Sequence, residues 1–70
     1  MKLSARNQLP GTVREITEGS VMAEVVLDVD GGHEIVAAIT AESVRRLKLE
    51  KGSRVVAIIK STEVVLAVDD

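Results

Sequence analysis

Residues 21–29, Val-Met-Ala-Glu-Val-Val-Leu-Asp-Val, constrain this chain more than any other stretch. Val21, Ala23, Val25, Leu27 and Val29 fall on one face at period two, with Met22, Glu24, Val26 and Asp28 on the other. A helix would scatter these apolar residues around its circumference, whereas a strand collects them on one side. Asp30-Gly31-Gly32-His33 follows directly. Its glycines accept positive φ, so the run predicts a tight hairpin reversal. The chain then returns along residues 34–39, with Ile35, Ala37 and Ile39 sharing a face. The centre of the fold is therefore expected to be an antiparallel hairpin with one face that must be covered.

The flanking segments extend this pattern. Residues 12–17 read as a first strand, β-rich but with imperfect alternation. Leu9 precedes a proline and is biased towards extended geometry, and Pro10 suits a strand start or a sheet edge. Glu18-Gly19-Ser20 is a turn signal. At Thr40 the period changes. Thr40 suits a helix N-cap, Glu42 the positive end of the helix dipole, and Ala41, Val44 and Leu47 a single core-facing stripe. Gly52 marks the turn that follows. Residues 54–59 read as a fourth strand and residues 63–68 as a fifth, both apolar on both faces, ahead of a solvated Asp69-Asp70 tail. Three strands, a helix and two strands give an expected fold class: all-β, an OB-fold-like five-stranded barrel with one short helix between strands 3 and 4. Seventy residues allow a single domain, 1–70.

A chain of this length buries roughly 60% of its unfolded surface and is marginal alone. Cysteine is absent and there is one histidine, which excludes disulfides, thiolate metal sites and a histidine-rich site for a free metal cation. Oligomerisation is the remaining support. The 46% hydrophobic content and mean hydropathy of +0.21 agree, because a small body with so many apolar side chains exposes patches that mark interfaces. Strands apolar on both faces need a second cover, which another subunit can supply.

Net charge is −2 and the pI is about 5.3, against the basic excess of nucleic-acid binders. There are no aromatic residues on which single-stranded bases could stack. An OB-fold nucleic-acid-binding module is thus the alternative suggested by fold alone. No apolar run is long enough to span a bilayer, and Met1-Lys2-Leu3-Ser4 lacks a signal-peptide core. The expected location is cytoplasmic, without a membrane partner. His33 lies in a turn, no nucleophile–base set exists, and the chain is not expected to be an enzyme. Asp28-Val29-Asp30-Gly31 opens like a calcium loop but lacks the later ligands. Arg45-Arg46 reads as an exposed helix face rather than a phosphate contact.

Two polar clusters stand out from this apolar background. Residues 4–8, Ser-Ala-Arg-Asn-Gln, combine a hydroxyl, a guanidinium and two amides, closed by Leu9. Lys60-Ser61-Thr62 interrupts two hydrophobic runs. Turns of this composition either form anion-binding concavities or are ordinary polar connections; a frayed terminus would account for the first cluster. If the two clusters meet, they offer donors to a small oxyanion. Gly19-Ser20-Val21 is a third candidate, since glycine allows close backbone approach to a ligand.

Ser4-Ala5-Arg6-Asn7-Gln8-Leu9, Ala23-Glu24-Val25-Val26 and Ala57-Ile58-Ile59-Lys60-Ser61-Thr62-Glu63-Val64 together resemble the molbindins, or Mop proteins, small single-domain members of the molybdate-binding TOBE group. The resemblance runs through nearly the whole chain. It implies an OB-like barrel assembled as a homohexamer, a trimer of dimers. It also implies cytoplasmic binding of molybdate and tungstate at subunit interfaces, without a separate cofactor, in molybdenum storage or homeostasis. The absence of an accompanying ATP-binding loop or helix-turn-helix leads to the same expectation. Two kinds of oxyanion pocket are implied. By position the first, built from the Ser-Ala-Arg-Asn segment of one chain and the Lys-Ser segment of a neighbouring chain, carries to Ser4, Ala5, Arg6, Asn7, Lys60 and Ser61, and the second, in the turn before the second strand, to Gly19, Ser20, Val21 and Met22. Met22 has no side-chain donor where members can have a polar residue. Pro10 stands where the resemblance leads one to expect lysine, removing a charge beside the first segment.

Overall fold

The computed structural model describes residues 1–69; Asp70, half of the expected acidic tail, lies outside them. The elements are β1 (Asn7–Glu18), β2 (Met22–Val29), β3 (His33–Thr40), α1 (Ala41–Arg46), β4 (Arg54–Ile59) and a 3-10 turn (Ser61–Glu63). All four strands are antiparallel neighbours, in the order β3-β2-β1-β4.

The expected hairpin is β2–β3, paired from Met22 opposite Thr40 to Val29 opposite His33. Gly31 and Gly32 both take positive φ at its tip, where a side chain would be strained. Ala23, Val25, Leu27 and Val29 are buried at period two. Val21 is not part of that face: it lies in the turn before β2, 69% exposed, because its carbonyl accepts from the Ala41 amide at 2.8 Å and holds the start of α1.

β1 is twice the expected length. Its first half pairs with β4 and its second half with β2. The imperfect alternation in the sequence is a bulge: the register on β2 shifts between Val13 and Glu15, leaving Arg14 as the extra residue. A bulge lets one strand bend and twist from one neighbour to the next. Pro10 sits where the Asp30 amide reaches its carbonyl at 3.0 Å. That places its missing N–H on the side where β2 has already ended, so no ladder bond is lost. At Gly11 the strands cross too closely for a side chain; a Cβ there would lie 2.6 Å from the Asp28 carbonyl oxygen.

α1 begins as expected. The Thr40 hydroxyl accepts from the Ser43 amide at 3.0 Å and satisfies one free first-turn donor. Lys48 ends it with φ of 54°, its amide bonding to the Arg45 carbonyl while the Leu49 amide bonds to that of Val44. This is a left-handed helix stop of the kind glycine usually supplies. Ala41 and Val44 are buried, but Leu47, the third member of the expected stripe, is 59% exposed.

Two expectations are corrected. Among the described residues there are four strands, not five, and their sheet does not close into a barrel. Residues 63–68 form no fifth strand; Glu63 ends the 3-10 turn and residues 64–69 extend away without a sheet partner. Val65, Leu66 and Val68 are about nine-tenths exposed. These residues suit a strand, but both edges of β1 and β2 are taken, and the segment pairs with neither β3 nor β4, whose outer edges stay open. The Cα radius of gyration is 13.1 Å, against about 11 Å for a compact chain of this length, as expected for a body with a projecting arm.

Candidate anion-binding site

The β1–β4 register explains why the two polar clusters meet. Asn7 is paired with Ile59, Gln8 with Ile58 and Leu9 with Ala57. In an antiparallel ladder each step back on one strand is a step forward on the other. Continuing past Asn7 therefore sets Arg6 opposite Lys60, Ala5 opposite Ser61 and Ser4 opposite Thr62. Pairing stops at Asn7, and the two segments part around a cleft of about 300 Å³ lined by Ser4, Ala5, Lys60, Ser61 and Thr62.

The lining is chemically one-sided. It presents three hydroxyls and one ammonium, and no carboxylate. Such a surface suits an acceptor-only ligand, and the lysine adds charge-assisted bonds to an anion. Ala5 is half-buried, whereas Ser4, Lys60, Ser61 and Thr62 are exposed, so one side of the cleft is open. The arm is tied to the strand by the Gln8 side chain, whose Nε2 donates to the Ala5 carbonyl at 2.9 Å.

Of the residues the resemblance assigned to this site, four line the cleft: Ser4, Ala5, Lys60 and Ser61. Asn7 is instead the first residue of β1, exposed and opposite Ile59, and Arg6 is exposed beside the cleft without lining it. Thr62 lines the cleft although the resemblance did not carry to it; its place in the same polar cluster was the available signal. Gln8, a member of the same polar cluster, holds the arm through its bond to the Ala5 carbonyl and does not line the cleft.

The residues of the second expected pocket lie elsewhere. Gly19 to Met22 form the β1–β2 turn, at the opposite end of a twelve-residue strand, about 35 Å away along β1. No single anion can touch both places in one chain. The Gly19 amide already donates to the Met22 carbonyl at 2.8 Å, so it is not offered to a ligand here. Ser20 is exposed, and Val21 and Met22 expose apolar side chains.

Elsewhere the charged groups serve the sheet. Arg14, projecting from the bulge, pairs with Asp28 on β2 and reaches Glu34 on β3 at 2.8 Å. Arg54 makes a two-pronged contact with Asp30, at 2.8 and 3.0 Å, and donates to the Thr12 hydroxyl at 2.9 Å. The hydrogen bonds from these guanidiniums hold the Asp28 and Asp30 carboxyls below their ordinary range, and the aspartates raise both arginines in turn. Among the described residues there is no group of three or more His, Cys, Asp or Glu placed to hold a metal ion.

The model of the TOBE domain matches residues 3–66. This chain belongs to the TOBE family, and within it to the Mop group. The TOBE chain is 44% identical over 66 residues to molybdenum-pterin-binding protein 1 of Clostridium pasteurianum, covering 94% of this chain and 97% of that protein. Among solved structures it superimposes on apo MopII from Clostridium pasteurianum with a TM-score of 0.91 at 42% identity, covering 96% of this chain and all of that one. It also matches the cytoplasmic molybdate-binding protein ModG, solved with molybdate bound, with a TM-score of 0.85 at 48% identity over 87% of this chain and 43% of ModG.

Proposed function

We propose that this TOBE protein binds molybdate, and tungstate by the same donors, for molybdenum storage and homeostasis in the cytoplasm. The observation that carries the reading is the cleft, where β1–β4 pairing delivers Ser4, Lys60, Ser61 and Thr62 to one place without a carboxylate. Molybdate is a tetrahedral dianion, fully deprotonated at neutral pH, so a donor-only lining matches all of its oxygens. Protonated phosphate would set its own hydrogen against donors, and an unpaired polar contact costs about 1–3 kcal/mol. Sulfate carries no such hydrogen and is rejected by size, which requires a preorganised cavity. Arg6, beside the opening, adds positive charge. The names of the relatives, which bind molybdate or molybdenum-pterin, support the ligand class, and their binding roles support a non-enzymatic protein.

The reading includes a homo-oligomer, a hexamer built as a trimer of dimers, that completes the open side of the cleft. Two features of the single chain support it. An apolar trough of about 470 Å³ runs between the free edges of β3 and β4, lined by residues such as Ile35, Ile39, Leu47, Val55 and Ile59. The tail that carries Val65, Leu66 and Val68 is the matching apolar strand without a partner. A second copy's tail laid in the trough would give both what they lack. The side chains lining the trough are all aliphatic, which suits such a segment. The Gly19–Met22 turn would serve as a second site only where a neighbouring chain adds donors to Ser20.

Equilibrium dialysis with molybdate in the presence of excess sulfate tests the function. Saturable binding is expected, with Lys60→Ala weakening it at least about tenfold by loss of a charge-assisted bond. Absence of saturable molybdate binding would overturn the reading.

A further inference from the structure

The cleft lies at the root of the tail. Lys60, Ser61 and Thr62 line it, and two residues later the chain becomes the exposed arm. The turn between is lightly held. It has one backbone bond of 2.9 Å, from the Glu63 amide to the Lys60 carbonyl, and one of 3.4 Å, from Val64 to Ser61. No side chain caps it. On the other wall, Ser4 and Ala5 belong to an arm fixed to β1 by Gln8. A ligand that bonds Ser4 and Lys60 or Ser61 together is therefore a cross-link between the N-terminal segment and the turn at the root of the tail.

We infer that an oxyanion in the cleft sets the direction in which residues 64–69 leave the body, so that ligand binding and the exchange of chains between oligomers are linked. The inference rests on the proposed molybdate binding and on a tail that docks on another copy, and adds their coupling. The physical reason is entropy. Without ligand this turn samples several exits, and ordering it opposes docking of the tail. With ligand the turn is already ordered, and the docked state gains what the free tail no longer loses. Linkage makes the effect reciprocal: whatever tightens the docked tail tightens the anion by the same factor. The Gly19–Met22 turn, at the far end of β1, has no such lever on the tail.

Native mass spectrometry of isotopically labelled protein mixed with unlabelled protein reads the exchange rate, with and without saturating molybdate, while dialysis on the same samples reads binding. Molybdate is expected to slow mixing about tenfold, within the range usual for coupled sites, and sulfate at equal concentration to leave it unchanged. Lys60→Ala should shift binding and the slowing together to at least about tenfold higher molybdate concentration. Two glycines inserted between Glu63 and Val64 should leave binding in place and abolish the slowing alone. Bound molybdate with unchanged mixing in the parent chain would overturn the coupling while the binding function stands. So would equal slowing in the glycine-insertion variant, or a chain that stays monomeric with molybdate bound. No bound molybdate at all would overturn the function and the coupling with it.

Discussion

The two central strands and the two flanking strands carry the same kinds of residue on their inner faces, yet they end in different states. Val13 on β1 and Ala23, Val25 and Leu27 on β2 are between 1% and 6% exposed. Ile35, Ala37 and Ile39 on β3, and Val55, Ala57 and Ile59 on β4, are only half-buried. Their chemistry does not explain the gap, since the flanks are if anything richer in isoleucine. Cover does. α1 buries Ala41 and lays Val44 over the centre, while among the described residues no strand or helix spans β3 and β4. The lesson is that this chain finishes half of a core. The other half is an exposed apolar surface, and the projecting tail is an apolar segment equally without cover.

That contrast breaks first at Gly11. Gly11→Ala forces a methyl into the Asp28 carbonyl, in the fully packed half where nothing can yield. A loss of about 3 kcal/mol is expected, the upper end for overpacking, seen as a large fall in the urea midpoint at every protein concentration. The flanking half should behave differently. Val65→Asp with Leu66→Asp removes the apolar character of the tail without touching a contact inside the chain. The chain should still fold, with unchanged far-ultraviolet circular dichroism. Its apparent stability should fall by about 2 kcal/mol, the worth of one buried aliphatic side chain, and should no longer rise with protein concentration. A concentration-independent parent chain would remove the distinction between the halves.

The smallest effect concerns the ion pairs that brace the centre. Hydrogen bonds from Arg14 and Arg54 depress the Asp28 and Asp30 carboxyls below their unfolded values. Their contribution to stability is therefore complete above about pH 4, the ordinary aspartate range, and fades as pH falls through the depressed folded values. Asp30→Asn should lower the urea midpoint slightly at neutral pH. The difference from the parent should close as the solution is acidified well below pH 4. Because these groups are exposed, added salt should shrink it as well.

Much of the central half was legible from residue order. The period of residues 21–29, the paired glycines and the Thr40 cap each specify a local geometry that tertiary packing only reinforces. The bulge at Arg14 was visible as broken alternation but not as a bulge, since its place depends on where β1 changes partner. Val21 shows the same limit: its side chain continued the apolar face, but its carbonyl was needed at the start of α1. The fifth strand failed for a different reason. Residues 63–68 have strand composition, and composition cannot say which chain supplies the edge. At the cleft, the polar clusters were conspicuous in the sequence, whereas their meeting is a matter of register, set by the pairing of Asn7 with Ile59. Thr62 enters by that register, and Asn7 leaves the cleft by it.

The tail has one more consequence. Val64-Val65-Leu66-Ala67-Val68 is rich in β-branched valine, uncharged and free of proline and glycine, the composition that zips into cross-β stacks when left exposed. Glu63 and Asp69 stand at its two ends, where like charges would be brought face to face in an in-register stack. These two acids act as gatekeepers. They let the segment be apolar enough to dock while making it a poor seed for fibres, and replacing them with neutral residues would turn a useful strand into a solubility problem.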